Sequence, residues 1–194
     1  DPARPRLFFA VPIPDPAREQ VASLMESVQS SVGDGSAKIR WVRVEGLHLT
    51  LRFLGPTPIE RVPALTAALA TVASGIAPFP VTISGAGAFP GPLHPRTLWL
   101  RIEVGADRLS DLAADLGAVA AADGWQLETR PFAPHLTIAR SDGLRAAPDA
   151  ARALIAAAET LEAPFTAERV VLYRSFLGRG PARYESVAEA ALEG

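Results

Sequence analysis

The chain has 194 residues and a formal net charge of −2, with 48% hydrophobic and 21% charged residues. This balance is typical of one globular domain or two small lobes with a shared core, and it excludes a chain that is mainly disordered. A pI near 6.0 argues against the broad basic surface needed to follow a long DNA tract. Because cysteine is absent, thiolate metal sites and disulfides are excluded, and a reducing, cytoplasmic location is expected.

Hydrophobic periodicity predicts short strands and longer helices along the chain. A first strand, Leu7–Val11, precedes a helix that Asp15 and Pro16 begin, as N-cap and first-turn proline, and that Gly33 closes. Strands and helices mix without a strict βαβ order, which favours an α+β fold. The further predicted elements, in chain order, are strands Ile39–Val44 and Leu47–Phe53, helix Ile59–Ser74, strands Val81–Ile83 and Thr97–Val104, helix Asp107–Ala122, strand Leu136–Ile138, helix Asp149–Leu161 and strand Val170–Phe176.

The longest apolar runs are far shorter than the roughly 20 residues that span a bilayer. The apolar stretch at the start is cut by Pro12 and Pro14, too early for the core of a signal peptide. No membrane association is therefore expected.

A repeated tetrapeptide predicts two similar lobes. His48-Leu49-Thr50-Leu51 matches His135-Leu136-Thr137-Ile138, and Ala77-Pro78-Phe79 matches Ala163-Pro164-Phe165. The order of flanking elements is the same around both copies. We therefore predict one domain of two lobes, an internal repeat over about residues 6–92 and 97–192. A pseudo-twofold axis would bring the two His-x-Thr strands face to face.

Strand alternation groups the polar residues of both copies. Residues i and i+2 of a strand share a face, so His48, Thr50 and Arg52 are predicted to point one way. His135 and Thr137 are grouped in the same manner. The leucine and isoleucine residues of each motif, Leu49, Leu51, Leu136 and Ile138, would point into the core.

Two imidazoles and two hydroxyls around one cleft suit phosphoryl transfer without a metal ion. Attack on a phosphodiester needs one base and one acid, and imidazole serves as either near neutral pH because its ordinary pKa is about 6.5. Threonine hydroxyls can donate to the phosphate oxygens where charge accumulates. A two-histidine metal site is the alternative, but no third ligand recurs at fixed spacing and there is no HExxH pattern.

Arg140 could add a bidentate contact to the phosphate. Its position, five residues after His135, gives it the wrong parity for the His135 face of a regular strand. We therefore expect the strand to end near Ala139, at the turn that Ser141-Asp142-Gly143 indicates.

These segments resemble the two signatures of the 2H phosphoesterase superfamily, and more narrowly the bacterial and archaeal RNA 2′,3′-cyclic phosphodiesterases, once called 2′-5′ RNA ligases. The resemblance covers nearly the whole chain. It rests on His48-Leu49-Thr50-Leu51-Arg52-Phe53-Leu54-Gly55, on Arg130-Pro131-Phe132-Ala133-Pro134-His135-Leu136-Thr137-Ile138-Ala139-Arg140, and on flanks at Arg6–Val11, Arg40–Val42, Pro95–Trp99 and Leu172–Ser175.

The resemblance implies a bilobal α+β fold in which antiparallel sheets line a central cleft, with helices outside. It implies a hydrolase that opens RNA-terminal 2′,3′-cyclic phosphates to 2′-phosphomonoesters, with no metal and no cofactor. By the same resemblance, His48 is the proton donor and His135 the proton acceptor, labels that spacing alone could reverse. Thr50, Thr137 and Arg140 would hold the phosphate, and Phe132 either stacks on the terminal base or belongs to the core.

Two alternative functions remain at this point. The useful reaction could run backwards and join RNA ends through a 2′-5′ bond, or the chain could be a non-catalytic RNA-end or nucleotide-binding module. The expected partner in each case is an RNA end or nucleoside 2′,3′-cyclic phosphate, with neither a DNA tract nor a membrane, and a monomer is expected.

Overall fold

The computed structural model describes residues 2–33, 39–126, 131–141, 147–178 and 181–194. Strands and helices alternate irregularly along these ranges, which confirms the α+β class. The strands are β1 Arg6–Pro12, β2 Arg40–Trp41, β3 His48–Pro56, β4 Phe79–Phe89, β5 Thr97–Val104, β6 His135–Arg140, β7 Ala163–Ala167, β8 Arg169–Phe176 and β9 Arg183–Ala191; the helices are α1 Asp15–Val32, α2 Val62–Ser74, α3 Ala106–Ala122 and α4 Ala147–Ala157.

Two strands were not anticipated from the sequence. β7 is short and begins with an Ala-Pro pair, and β9 is rich in glutamate and alanine, residues that strands disfavour. Both strands form because they pair with long neighbours: β7 with β4, and β9 with β8. Tertiary pairing therefore outweighs local propensity at both positions.

The first helix differs from its prediction at its start. Pro14 occupies the N-cap position, and no side chain caps the helix. Asp15 therefore lies inside the first turn, where it pairs with Arg18 instead of capping. Gly33 closes the helix as expected, because its φ of 60° lies in the left-handed region that glycine tolerates.

The strands form two antiparallel sheets, as predicted. Sheet A has four strands in the order β3-β1-β8-β9, and sheet B has five in the order β2-β6-β5-β4-β7. Each sheet takes strands from both halves of the proposed repeat, 6–92 and 97–192. The repeat itself stays a prediction, but the lobes defined by the sheets do not coincide with its two halves.

Each sheet is also covered by one helix from each half of the proposed repeat. α2 and α3 pack against sheet A, through contacts with β8, β9 and β3, whereas α1 and α4 pack against β7 and β4 of sheet B. Consequently one continuous apolar core fills the space between helices and sheets. None of the described helices is long and apolar enough to cross a membrane.

Each sheet has one face turned to this core and one turned away from it, which we call the cleft face. On β1, Leu7, Phe9 and Val11 join the core, so Phe8 and Ala10 lie on the cleft face. The two sheets approach each other where β3 contacts β6. The fold therefore brings together the two strands that carry the His-x-Thr pairs.

Candidate active site

A β-bulge follows the first His-x-Thr pair and changes the alternation of β3. Its neighbour β1 aligns Ala10 with Thr50 but Phe9 with Arg52, so Leu51 is an extra residue on β3. An inserted residue of this kind moves later side chains to the other face of the sheet. Thr50 therefore stays on the cleft face with Ala10, while Arg52 lies on the core face with Phe9.

Arg52 is consequently not on the His48 face, and that prediction was wrong. Its side chain is 6% exposed, and Nη2 donates a hydrogen bond to the carbonyl of Gln126. The guanidinium also lies against α3, where a Cβ built on Gly117 would be 3.5 Å from Nη1. Arg52 thus ties β3 to the end of α3 and is not directed toward a ligand in the cleft.

The second His-x-Thr strand carries a bulge at the equivalent place. β5 aligns Trp99 with Thr137 but Leu98 with Ala139, so Ile138 is the extra residue. Arg140 then pairs with Thr97, which shares a face with Trp99. Arg140 is therefore on the same face as Thr137.

Arg140 lies on the Thr137 face for a different reason from the one expected. β6 does not end at Ala139; it continues through Arg140, and the bulge supplies the change of parity. Asp142 and Gly143 of the predicted turn lie outside the described residues, as does Arg130 of the second motif.

Both histidines are held in the same way by the backbone. Nδ1 of His48 lies 2.7 Å from the carbonyl oxygen of Gly46, and Nδ1 of His135 lies 2.7 Å from that of Ala133. A carbonyl only accepts hydrogen bonds, so Nδ1 must carry the proton in each ring. In the neutral tautomer this leaves Nε2 of each ring as the atom with a free lone pair.

Aromatic rings surround His48. Its ring centroid is 4.8 Å from those of Phe8 and Tyr184 and 5.9 Å from that of Tyr173. The pKa of His48 is lowered to about 4, mainly by burial among these groups; the Gly46 hydrogen bond raises the pKa, and the positive charge of Arg140 lowers it. Burial also raises the pKa of both tyrosines. At a pKa of about 4 the ring of His48 is neutral at pH 7.

His135 has a smaller aromatic surround. Phe89 meets its ring edge-on at 5.4 Å, and Trp99 lies 6.1 Å away. Phe89 stacks on Trp99 at 4.9 Å and remains 41% exposed. An exposed ring therefore stands directly beside the second histidine.

Arg140 connects the two sheets electrostatically. Its Nη1 donates a hydrogen bond to Thr97 Oγ1 at 3.4 Å on sheet B. Its charge lowers the pKa of both His48 and Tyr184, which belong to sheet A. The guanidinium therefore lies close enough to influence groups on both sides of the cleft, where an anion could bind.

Phe132 lies half-buried against the apolar core. Stacking on a base by Phe132 stays a prediction, and the more exposed ring, which lies beside His135, is Phe89.

Sequence reasoning missed Phe89 and Tyr184. Neither could be found from spacing, because both reach the histidines from strands distant in sequence, β4 and β9.

Among the residues that the structure describes, no three histidine, aspartate or glutamate side chains lie together as a metal site would require. The groups that do lie together are imidazole, hydroxyl, phenol and guanidinium. These groups can move protons and hold an anion.

Two His-x-Thr strands meet between two antiparallel sheets, which is the fold expected of a 2H phosphoesterase. A family profile described as the 2′-5′ RNA ligase superfamily matches residues 13–178. The chain belongs to this superfamily. The predicted family is thereby confirmed. The prediction of an enzyme is confirmed by the curated relatives, which are named as phosphodiesterases.

Curated relatives are similar over nearly the whole chain. A protein named RNA 2′,3′-cyclic phosphodiesterase from Geobacillus stearothermophilus is 34% identical over 98% of this chain, which spans only 58% of that relative. A protein of the same name from Thermotoga maritima is 29% identical, with 97% of this chain and 96% of the relative covered.

Solved structures agree with the fold. A Thermus thermophilus protein is 28% identical, with a TM-score of 0.76 over 97% of this chain and 98% of its own. Escherichia coli LigT complexed with 3′-AMP is 27% identical, with a TM-score of 0.74 over 98% and 99% of the two chains.

Proposed function

We propose that the chain hydrolyses RNA-terminal 2′,3′-cyclic phosphates to 2′-phosphomonoesters, by acid–base catalysis between two histidines and without a metal ion. The observation that carries this proposal is the matched presentation of His48 and His135. Each has Nδ1 held by a carbonyl two residues earlier, which leaves Nε2 for a substrate. The names of the curated relatives support the same substrate class.

In this proposal the reaction is an in-line displacement at phosphorus. Nε2 of His135 accepts a proton from water as the water oxygen forms a bond to phosphorus. The bond from phosphorus to O3′ breaks, and His48 donates a proton from Nε2 to O3′. The products are a 2′-phosphomonoester and a free 3′-hydroxyl, and the two histidines return to their starting states by exchanging protons with water.

The proton-donor role of His48 depends on the substrate. Its pKa is about 4, so the ring carries no proton on Nε2 at pH 7. A phosphodiester anion beside the imidazole favours the charged form and raises this pKa. Binding of the cyclic phosphate would therefore protonate the acid that the reaction needs.

The phosphate oxygens would be held from both strands. Thr50 and Thr137 lie on the cleft faces beside their histidines and can donate from their hydroxyls. Arg140 offers a planar pair of donors and a positive charge. Phe132 remains the proposed base-stacking residue, with Phe89 as a second aromatic surface.

End-joining is the second candidate direction, and the name of the matched superfamily favours it. The same groups would serve: Nε2 of His135 would accept the proton of an attacking 5′-hydroxyl as its oxygen bonds to phosphorus, and His48 would protonate O3′ as the bond from phosphorus to O3′ breaks. Water at about 55 M against scarce RNA ends favours hydrolysis. A non-catalytic binding module would need no paired imidazoles with free Nε2 atoms.

The test is to incubate the protein with an oligonucleotide that ends in a 2′,3′-cyclic phosphate, in the presence of EDTA. We expect a product whose phosphate stays on the 2′-hydroxyl. The matched control is the His48→Ala/His135→Ala double variant at the same concentration. A 3′-phosphate product, loss of turnover in EDTA, or equal turnover by the double variant would contradict the proposal.

We also propose the partners and the cellular state of the chain. RNA ends, rather than a DNA tract or a membrane, are the proposed partners. A monomer in the cytoplasm is the proposed state, and sedimentation of the purified chain would test its mass.

A further inference from the structure

A groove of about 580 Å³ lies beside His48 on sheet A. Its walls are the start of α1, the turn Val44–Gly46 that precedes β3, and residues of β8 and β9. His48 lines this groove, whereas His135 is not among its lining residues. Its volume falls in the range of about 300–1,000 Å³ that is usual for small-molecule and cofactor pockets. We call it the arginine groove, after Arg18, Arg43, Arg169 and Arg183, which line it.

Three of these arginines have carboxylate partners at the surface. Arg18 pairs with Asp15 of the same helix turn, and the other two bridge to glutamates of β9 at 3.7 and 2.7 Å. Exposed ion pairs of this type are weak, about 0–1 kcal/mol. Their guanidinium groups can therefore exchange a carboxylate for a phosphate at little cost.

Arg43 differs from the other three. Among the described residues it has no ion pair, although its side chain is exposed. It stands at the N-cap of the turn whose last residue, Gly46, provides the carbonyl that holds His48. A short turn with two backbone hydrogen bonds, from Gly46 N–H to Arg43 and from Leu47 N–H to Val44, therefore holds the backbone of Arg43 close to His48.

Aromatic groups form the wall of the groove next to the histidine. Tyr184 packs over the turn, where a Cβ built on Gly46 would be 3.1 Å from Tyr184 Cδ2. Tyr173 also lines the groove. Asp15 and Glu45 also line the groove, so the four arginines leave its lining net positive. Positive charge together with aromatic rings is the combination that binds single-stranded nucleic acid without a strict sequence preference.

The proposed reaction indicates which part of the substrate lies next to the groove. In an in-line displacement, the leaving oxygen lies opposite the attacking water. O3′ belongs to the terminal ribose, so this ribose must lie on the side of the proton donor, His48. The 5′-oxygen of the same ribose carries the rest of the RNA chain, and the arginine groove, which His48 lines, is the cavity next to that ribose.

From this geometry we infer that the arginine groove binds the RNA chain on the 5′ side of the cyclic phosphate, with Arg43 contacting the first internal phosphodiester. The inference rests on the proposed function and narrows its substrate class to RNA ends of at least two nucleotides, rather than free nucleoside cyclic phosphates.

The experiment compares a nucleoside 2′,3′-cyclic phosphate with a dinucleotide that ends in the same group. We expect kcat/KM for the dinucleotide to exceed that for the mononucleotide about tenfold, as one charge-assisted contact allows. Arg43→Ala should remove most of this preference, and Arg43→Glu should reverse it. Arg152→Ala is the matched control, since Arg152 is an exposed arginine on α4 outside the groove.

Two further measurements identify the phosphate contact itself. A dinucleotide with an uncharged methylphosphonate linkage should lose the preference in the wild type and respond little to Arg43→Ala. With the natural linkage, Arg43→Ala should lessen the slope of log kcat/KM against log salt by about 0.7, the value for one single-strand phosphate contact.

Equal kcat/KM for the two substrates in the wild type would overturn the inference, as would a preference that survives Arg43→Glu. Either result leaves turnover of the mononucleotide, and so the proposed function, intact. If neither substrate is turned over, the proposed function fails, and the inference fails with it. Melting curves of both Arg43 variants separate loss of binding from loss of folding.

Discussion

β3 and β6 carry the same His-x-Thr pair and the same bulge after the threonine, yet they differ five residues after the histidine. On β3 this position is Phe53, which is 57% exposed and opposes Phe8. On β6 it is Arg140, which bonds Thr97. In both strands the bulge turns the fifth residue to the cleft face, so one strand presents a ring where the other presents a cation.

The surroundings of the two histidines also differ, with more aromatic rings on the β3 side. His48 lies among Phe8, Tyr173 and Tyr184, and its burial lowers its pKa to about 4. His135 has an exposed ring, Phe89, at its edge. Two strands with the same motif can therefore have different chemical roles. In our proposal the β6 side holds the phosphate, while the β3 side holds the leaving ribose and supplies a proton only when an anion is bound.

The largest expected effect is loss of either imidazole. His48→Ala and His135→Ala should each lower kcat/KM by roughly 10²- to 10⁴-fold, because each removes a proton-transfer group. The double variant should lose less than the product of the two single losses, since the two groups act as a unit. Near wild-type turnover by the double variant would end the two-histidine interpretation.

The two strands differ most at the fifth residue after the histidine, which is Arg140 on β6 and Phe53 on β3. Arg140→Ala should lower kcat/KM by about 10²-fold, the usual effect of removing one oxyanion donor. Arg140→Lys should keep the charge but lose much of the activity, because an ammonium does not reproduce the planar fork. Calorimetry should show that both variants weaken binding of a nucleoside 2′-phosphate more than binding of the bare nucleoside, relative to the wild type. Phe53→Leu is the matched control on β3, and a loss there as large as that in Arg140→Ala would remove the proposed asymmetry.

Thr50→Val and Thr137→Val test the hydroxyls with little change of shape. Valine keeps the β-branched form that suits a strand, so the melting temperature should change little. We expect each variant to lose about tenfold in rate, roughly the worth of one neutral hydrogen bond to a developing charge. A variant that melts early but has an unchanged rate per folded molecule would assign that threonine to structure alone.

The smallest expected effect concerns stability and His48. The unfolded chain binds a proton at this ring with a pKa near 6.5, and the folded chain does so only near 4. Between these values the unfolded state holds more protons, so stability should fall as the pH drops from about 6.5 to about 4. The melting temperature of His48→Gln should fall less steeply over this interval. Parallel curves for the two proteins would show that burial does not disfavour the charged ring. The other histidines and the carboxylates are common to both proteins and cancel in the difference.

Sequence periodicity predicted the helices and the strands that carry the core, because burial leaves a direct trace in the order of apolar residues. It did not predict β7 or β9, whose residues have little strand propensity of their own. These strands exist because β4 and β8 offer unpaired edges. A partner distant in sequence leaves no local pattern.

The sequence by itself determined which residues could do chemistry: two histidines, each with a threonine two residues later, and an arginine at a fixed distance from the second. The tertiary structure decided where these side chains point. Side chains alternate between the two faces only while a strand stays in register with its neighbour. In each of the two strands one residue, Leu51 in β3 and Ile138 in β6, has no partner in the neighbouring strand. This β-bulge puts Arg140 on the cleft face and Arg52 on the core face. It cannot be inferred from the sequence, because it is defined by the pairing with β1 and β5.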